Sequence, residues 1–104
     1  MIRTVYRFVF EPDISMDDVE KALALATIAV ESIHGEQAMM IDGKFAVLKR
    51  ARTCLIDAET EVGCDLARVL SGFMNTCSGG CFRTDMIECK APLGDMLDLY
   101  RAFV

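Results

Sequence analysis

The chain has 104 residues, of which 53% are hydrophobic and 26% charged. That supports one core and leaves too little for two, so residues 1–104 are read as a single domain. A formal charge of -5 argues against nucleic acid as a partner, because such affinity comes mainly from basic side chains neutralising phosphates. No membrane span is expected either: Glu20, Lys21 and Glu31 interrupt the most apolar stretch, 19–33, which falls short of the ~20 apolar residues a bilayer requires.

The opening MIRTVYRFVF is broken by Arg3 and Arg7 and offers neither a continuous apolar stretch nor a small-residue cleavage site, so it is not read as a secretory signal. Residues 2–10 read instead as a strand. Ile2, Thr4, Tyr6, Phe8 and Phe10 alternate with Arg3, Val5, Arg7 and Val9, which sends the aromatic side chains to the core and the arginines to a face that meets water or a polar partner. Glu11-Pro12-Asp13 ends the strand. Ser15 is a suitable N-cap, and Asp17, Asp18 and Glu20 place negative charge near a helix N-terminus. Val19, Leu23, Ala26, Val30 and Ile33 recur at helical spacing, with Ala22, Leu25 and Ala29 widening the stripe. Gly35 is positioned to close this helix just after His34.

The short apolar run 37–41, QAMMI, is read as a second strand, and Asp42-Gly43 as a turn pair. Two readings of the segment after Gly43 compete. Either Lys44 to Leu48 pairs back as a strand, or Phe45 to Arg52 is a loop or helical turn; the second is preferred, with residues 52–58 as the next strand because RTCLIDA has an apolar, β-branched centre. Asp57, Glu59, Thr60 and Glu61 then open a second long helix, whose apolar positions are Val62, Leu66, Val69, Leu70 and Phe73. Gly63 and Gly72 each cost about 1 kcal/mol against alanine in a helix interior and mark a close approach to the sheet or the other helix. Ser78-Gly79-Gly80 stops the helix, Cys81 to Lys90 alternates as a last strand, and Leu93, Met96, Leu97, Tyr100 and Phe103 form a helix-like stripe after Pro92.

The order strand, helix, strand, strand, helix, strand predicts an α+β fold of the ferredoxin-like type: a βαββαβ sandwich with two helices on one face of a four-stranded antiparallel sheet, followed by a short C-terminal helix.

Five cysteines, an odd count, with no export signal point to reduced thiols in the cytoplasm. Cys77-Ser-Gly-Gly-Cys81 has zinc-compatible spacing but no second close pair, so Cys89 or His34 would have to complete a metal site from elsewhere. A redox pair belongs more naturally at a helix N-terminus, where the dipole lowers a thiol pKa, than after a helix. His34 stands three residues after Glu31 and reads first as a helix-end residue favoured by the C-terminal dipole. The acids Asp57, Glu59, Glu61 and Asp65 lack the glycine and glutamate pattern of a calcium loop. Lys44, Lys49, Arg50 and Arg52 form a short basic run, read as a solvated connection. There is no Gly-rich phosphate loop, no nucleophile elbow and no Ser-His-Asp set. Seven methionines serve as core filling in preference to a contact surface.

What remains is a sheet face carrying Arg3, Val5, Arg7, Val9, Arg83 and Ile87, a mixture suited to an interface, together with open strand edges. The sequence therefore predicts a small non-enzymatic interaction or self-assembly domain without a cofactor, a homo-oligomer or the partner of another protein. The alternative is a cysteine-based metal or redox protein using Cys77 and Cys81.

Overall fold

A computed structural model describes residues 3–79 and 82–89. It is an α+β fold whose described elements run β1 (Arg3–Phe10), α1 (Met16–His34), α2 (Glu36–Asp42), β2 (Phe45–Leu48), β3 (Thr53–Asp57), α3 (Glu61–Ser78) and β4 (Phe82–Cys89). The four strands form one antiparallel sheet in the order β2-β3-β1-β4. The expected C-terminal helix lies outside the described residues.

Two local expectations change. Residues 37–41 are not a strand but most of α2. Gly35, at a φ of 94°, closes the last turn of α1 by donating its N–H to the Glu31 carbonyl and turns the chain directly into a new helix. Glutamine, alanine and methionine are good helix formers, and only Met39 of this segment is buried, so no alternating burial holds the run in a sheet. The second change follows from the first: Phe45–Leu48, inside the stretch preferred as loop or helical turn, is β2, paired with β3 from Phe45–Ile56 to Leu48–Thr53. The Asp42-Gly43 pair ends α2, with the Gly43 N–H donating to the Met39 carbonyl, and does not close a hairpin.

The hairpin turn is Lys49–Arg52, where Arg52 adopts a left-handed φ of 52°. Its guanidinium donates to the backbone carbonyls of Phe10, Glu11 and Ile14 and so ties the β2–β3 turn to the β1–α1 connection. Lys49 reaches Glu20 at 3.0 Å and Asp17 at 3.7 Å, with its pKa raised chiefly by the Glu20 hydrogen bond. Half of the basic run is thus used internally.

The alternation in β1 divides the core. Phe8 and Phe10 meet Cys54, Ile56 and the helices; α1 contributes Val19, Leu23, Ala26 and Val30, and α3 contributes Val62, Leu66, Leu70 and Met74. Phe82 of β4 completes a ring cluster with Phe8 and Phe10, at centroid separations of 5.9 and 6.1 Å. Ile33, assigned to the buried stripe from its spacing, is 71% exposed at the end of α1. Ser15 occupies the N-cap position, yet its side chain makes no capping bond. Thr60 does cap α3, its hydroxyl accepting from the Gly63 N–H at 3.0 Å and donating to the Asp42 carbonyl at 2.9 Å.

Candidate functional site

On the face opposite the helices, strand pairing fixes which residues meet. Val5 stands opposite Ile87 and Asp57, Arg7 opposite Asp85 and Leu55, and Val9 opposite Arg83 and Thr53. The six residues that alternation and composition single out as an interface, Arg3, Val5, Arg7, Val9, Arg83 and Ile87, therefore share one sheet face. Its centre is apolar: Val5 and Leu55 are fully buried and Leu48 nearly so, packed with Ala46 and Ile87. This cluster draws only on strands among the described residues. The arginine-bearing side of β1 is expected to meet water or a polar partner, and water does not reach Val5.

Two ion pairs frame that centre. Arg3 donates to Asp57 at 2.6 Å, and Asp57 also accepts from the Glu59 N–H at 3.1 Å. Asp57 is 2% exposed, so these two donors stand in for the water its side chain gives up on burial. Arg7 holds Asp85 with two bonds, at 3.0 and 2.5 Å; this hydrogen bonding keeps the Asp85 carboxyl below the usual carboxylate range, with Arg83 adding to the effect. Asp57 reads in sequence as a helix-start acid, and its role as a buried ion-pair partner is missed. The available signal is parity: both pairs join odd positions of β1 to residues that pairing places on the same face.

The outer edge of β4 is exposed. No strand pairs with it among the described residues. Ala58 donates to the Thr4 carbonyl and Phe10 to the Arg52 carbonyl, so even positions of β1 turn their backbone groups toward β3 and odd positions toward β4. Arg3, Val5, Arg7 and Val9 face Cys89, Ile87, Asp85 and Arg83. The remaining positions of β4, Phe82, Thr84, Met86 and Glu88, thus direct their N–H and C=O groups outward. Arg83, Thr84, Asp85, Met86 and Glu88 are exposed.

The chemically interesting side chains are scattered by comparison. His34 meets Asp65 at 2.7 Å across the α1–α3 contact, and Arg68 approaches the same carboxylate at 3.6 Å. The Tyr6 hydroxyl donates to the Cys64 sulfur at 3.6 Å, a bond that raises the tyrosine pKa, while the thiol donates to the Ala58 carbonyl at 3.4 Å. Cys77 is exposed at the far end of α3, beside a groove of about 500 Å³ lined by Ile14, Ala22, Leu25, Phe73 and Met74. About 18 Å of helix separates Asp65 from Cys77, so His34 and Cys77 are not brought together. Cys89 sits in β4 with its backbone opposite Arg3; Cys81 lies outside the described residues. Among the described residues no three His, Cys, Asp or Glu side chains converge as a metal site, and no helix is long and apolar enough to cross a membrane.

No protein-family model matches the sequence, and no curated protein shows significant similarity to it.

Proposed function

We propose that this chain is a small non-enzymatic interaction domain that associates with copies of itself, working in the cytoplasm. We further propose that its frame is ferredoxin-like, with α2 inserted between the first long helix and the second strand; the central position of β1 and β3 and the edge positions of β2 and β4 support that reading. The observation that carries the functional reading is the outer edge of β4, unpaired among the described residues. It is an eight-residue strand with outward backbone groups at alternate positions, exposed side chains and no proline. Natural sheets usually blunt such an edge by shortening it or breaking it, because unpaired N–H and C=O groups template pairing with another chain. The opposite edge, β2, has only four residues. Charged residues on one face of β4 are opposite in sign, Arg83 beside Asp85, which permits selective pairing in place of simple repulsion.

Native mass spectrometry of protein purified without added metal tests this reading. A defined homo-oligomer without bound mass supports it. A monomer at every concentration examined overturns it, and a monomer carrying zinc would return attention to Cys77 and Cys81.

A further inference from the structure

We infer that two copies pair β4 to β4 in antiparallel fashion about a two-fold axis at Thr84, making one sheet of twice the width. The inference rests on the self-association reading and specifies its surface, register and partner.

The backbone restricts the choices. When β4 pairs with its own copy, only residues of the same parity can stand opposite, because the outward backbone groups and the helix-facing side chains sit at even positions in both strands. With the axis at Arg83 or at Asp85, that residue meets its own copy, a like-charge contact in the closest type of antiparallel pair. With the axis at Met86, Asp85 faces Ile87 and Thr84 faces Glu88 of the second copy, which leaves no matched charge. With the axis at Thr84, Arg83 faces Asp85 of the second copy on both sides of the axis, and Phe82 faces Met86 twice. The single register that pairs opposite charges also pairs the apolar side chains.

The backbone directions agree. Phe82, Thr84 and Met86 are the positions whose N–H and C=O groups point outward, so the pairs Thr84–Thr84, Phe82–Met86 and Met86–Phe82 each exchange two hydrogen bonds, about six in all. Arg83 and Asp85 fall at the intervening pairs, where opposing Cα atoms come within about 4.5 Å and side chains interact most closely. Arg83 makes no ion pair among the described residues. In the pair it joins an Asp85 carboxylate already held by Arg7 of the same chain, extending each ion pair across the axis. On the helix side of the sheet, Thr84 is exposed and Met86 is 59% exposed; α3 does not cover them, so a second copy can approach. Met86 would be covered by Phe82 of that copy, continuing the ring cluster of Phe8 and Phe10.

The test is a Thr84→Cys variant oxidised gently and mapped by peptide mass spectrometry, beside native mass spectrometry of the parent. Hydrogen-bonded antiparallel pairs hold their Cα atoms about 5.5 Å apart, inside the range that a disulfide spans. A dimer whose main cross-link joins the two thiols at position 84 supports the inference. A dimer that cross-links through Met86→Cys and not through Thr84→Cys overturns the register while self-association stands. A dimer that cross-links through neither overturns the edge pairing, and a monomer overturns both readings. Thr84→Pro provides a second measurement that leaves the subunit fold in place, because the N–H it removes points outward and proline is tolerated on such an edge. Losing two bonds should raise the dimer dissociation constant about 30-fold; an unchanged constant with an intact circular dichroism spectrum would sink the proposal.

Discussion

Replacing Gly63 and Gly72 by alanine, one at a time, separates helix propensity from packing within α3. Propensity alone favours both changes by about 1 kcal/mol, since glycine is the poorer helix former by that amount. At Gly72 nothing lies within 4 Å of the added Cβ, and the site is exposed, so Gly72→Ala should stabilise the protein by roughly 0.5–1 kcal/mol. At Gly63 the added carbon would sit 1.9 Å from the carbonyl oxygen of Asp57 and 3.0 Å from the Thr60 hydroxyl. An oxygen fixed in a strand end cannot rotate away as a side chain can. The first turn of α3 would have to move by more than about 1 Å, and overpacking of this kind costs about 1–3 kcal/mol. That movement also pulls on the Thr60 cap and on the Asp57 carboxylate, which Arg3 and the Glu59 N–H hold in place. With the propensity gain subtracted from the upper part of the range, Gly63→Ala should destabilise by about 2 kcal/mol. The melting temperature should then fall by roughly 10 °C. Urea unfolding followed by circular dichroism measures both variants, and a Gly63→Ala protein as stable as its parent would refute the claimed approach of α3 to the end of β3.

Two further predictions concern buried groups. Burial pushes the Cys54 thiol up to about 12, above the ordinary value of 9.0 that it regains on unfolding. The folded state therefore binds the proton more tightly, and stability is full below pH 9 and falls as pH rises from 9 toward 12, by about 1.4 kcal/mol per pH unit. Urea midpoints measured across that range should fall less steeply for Cys54→Val, and alkylation at neutral pH should label exposed Cys77 while sparing Cys54 until the chain unfolds. Arg3→Met removes the guanidinium from nearly buried Asp57 and should cost about 3 kcal/mol, toward the low end for breaking a buried pair because Arg3 keeps some contact with water. An unchanged urea midpoint would show that the Glu59 N–H and solvent suffice for Asp57.

The elements readable from sequence were those whose pattern outlasts a few residues. β1 alternates over its whole length, and α1 and α3 carry apolar stripes over three turns or more, so their extents differ from expectation by a residue or two. The run QAMMI is too short for either period to show, and its composition favours a helix once Gly35 turns the chain. That one reversal also displaced the second strand onto residues treated as a connection. Ile33 fails for another reason: spacing places it on the buried stripe, but α1 ends one residue later and no described neighbour covers it.

The candidate site shows the same limit from the other side. Period two made the grouping of Arg3, Val5, Arg7 and Val9 on one face legible, because no register can separate them. Their partners were not legible, since Asp57 and Asp85 lie 54 and 78 residues away in sequence and only the pairing of β1 with β3 and β4 brings them in. The same registers orient the free edge. Had β4 paired with β1 one residue out of step, Arg83 and Asp85 would have turned their backbone groups outward and the apolar positions inward, placing the charges at the widely spaced pairs of any edge contact. The selectivity proposed for β4 therefore depends on the pairing of Val5 with Ile87 inside the domain, and the buried apolar cluster on the second sheet face is what fixes that register.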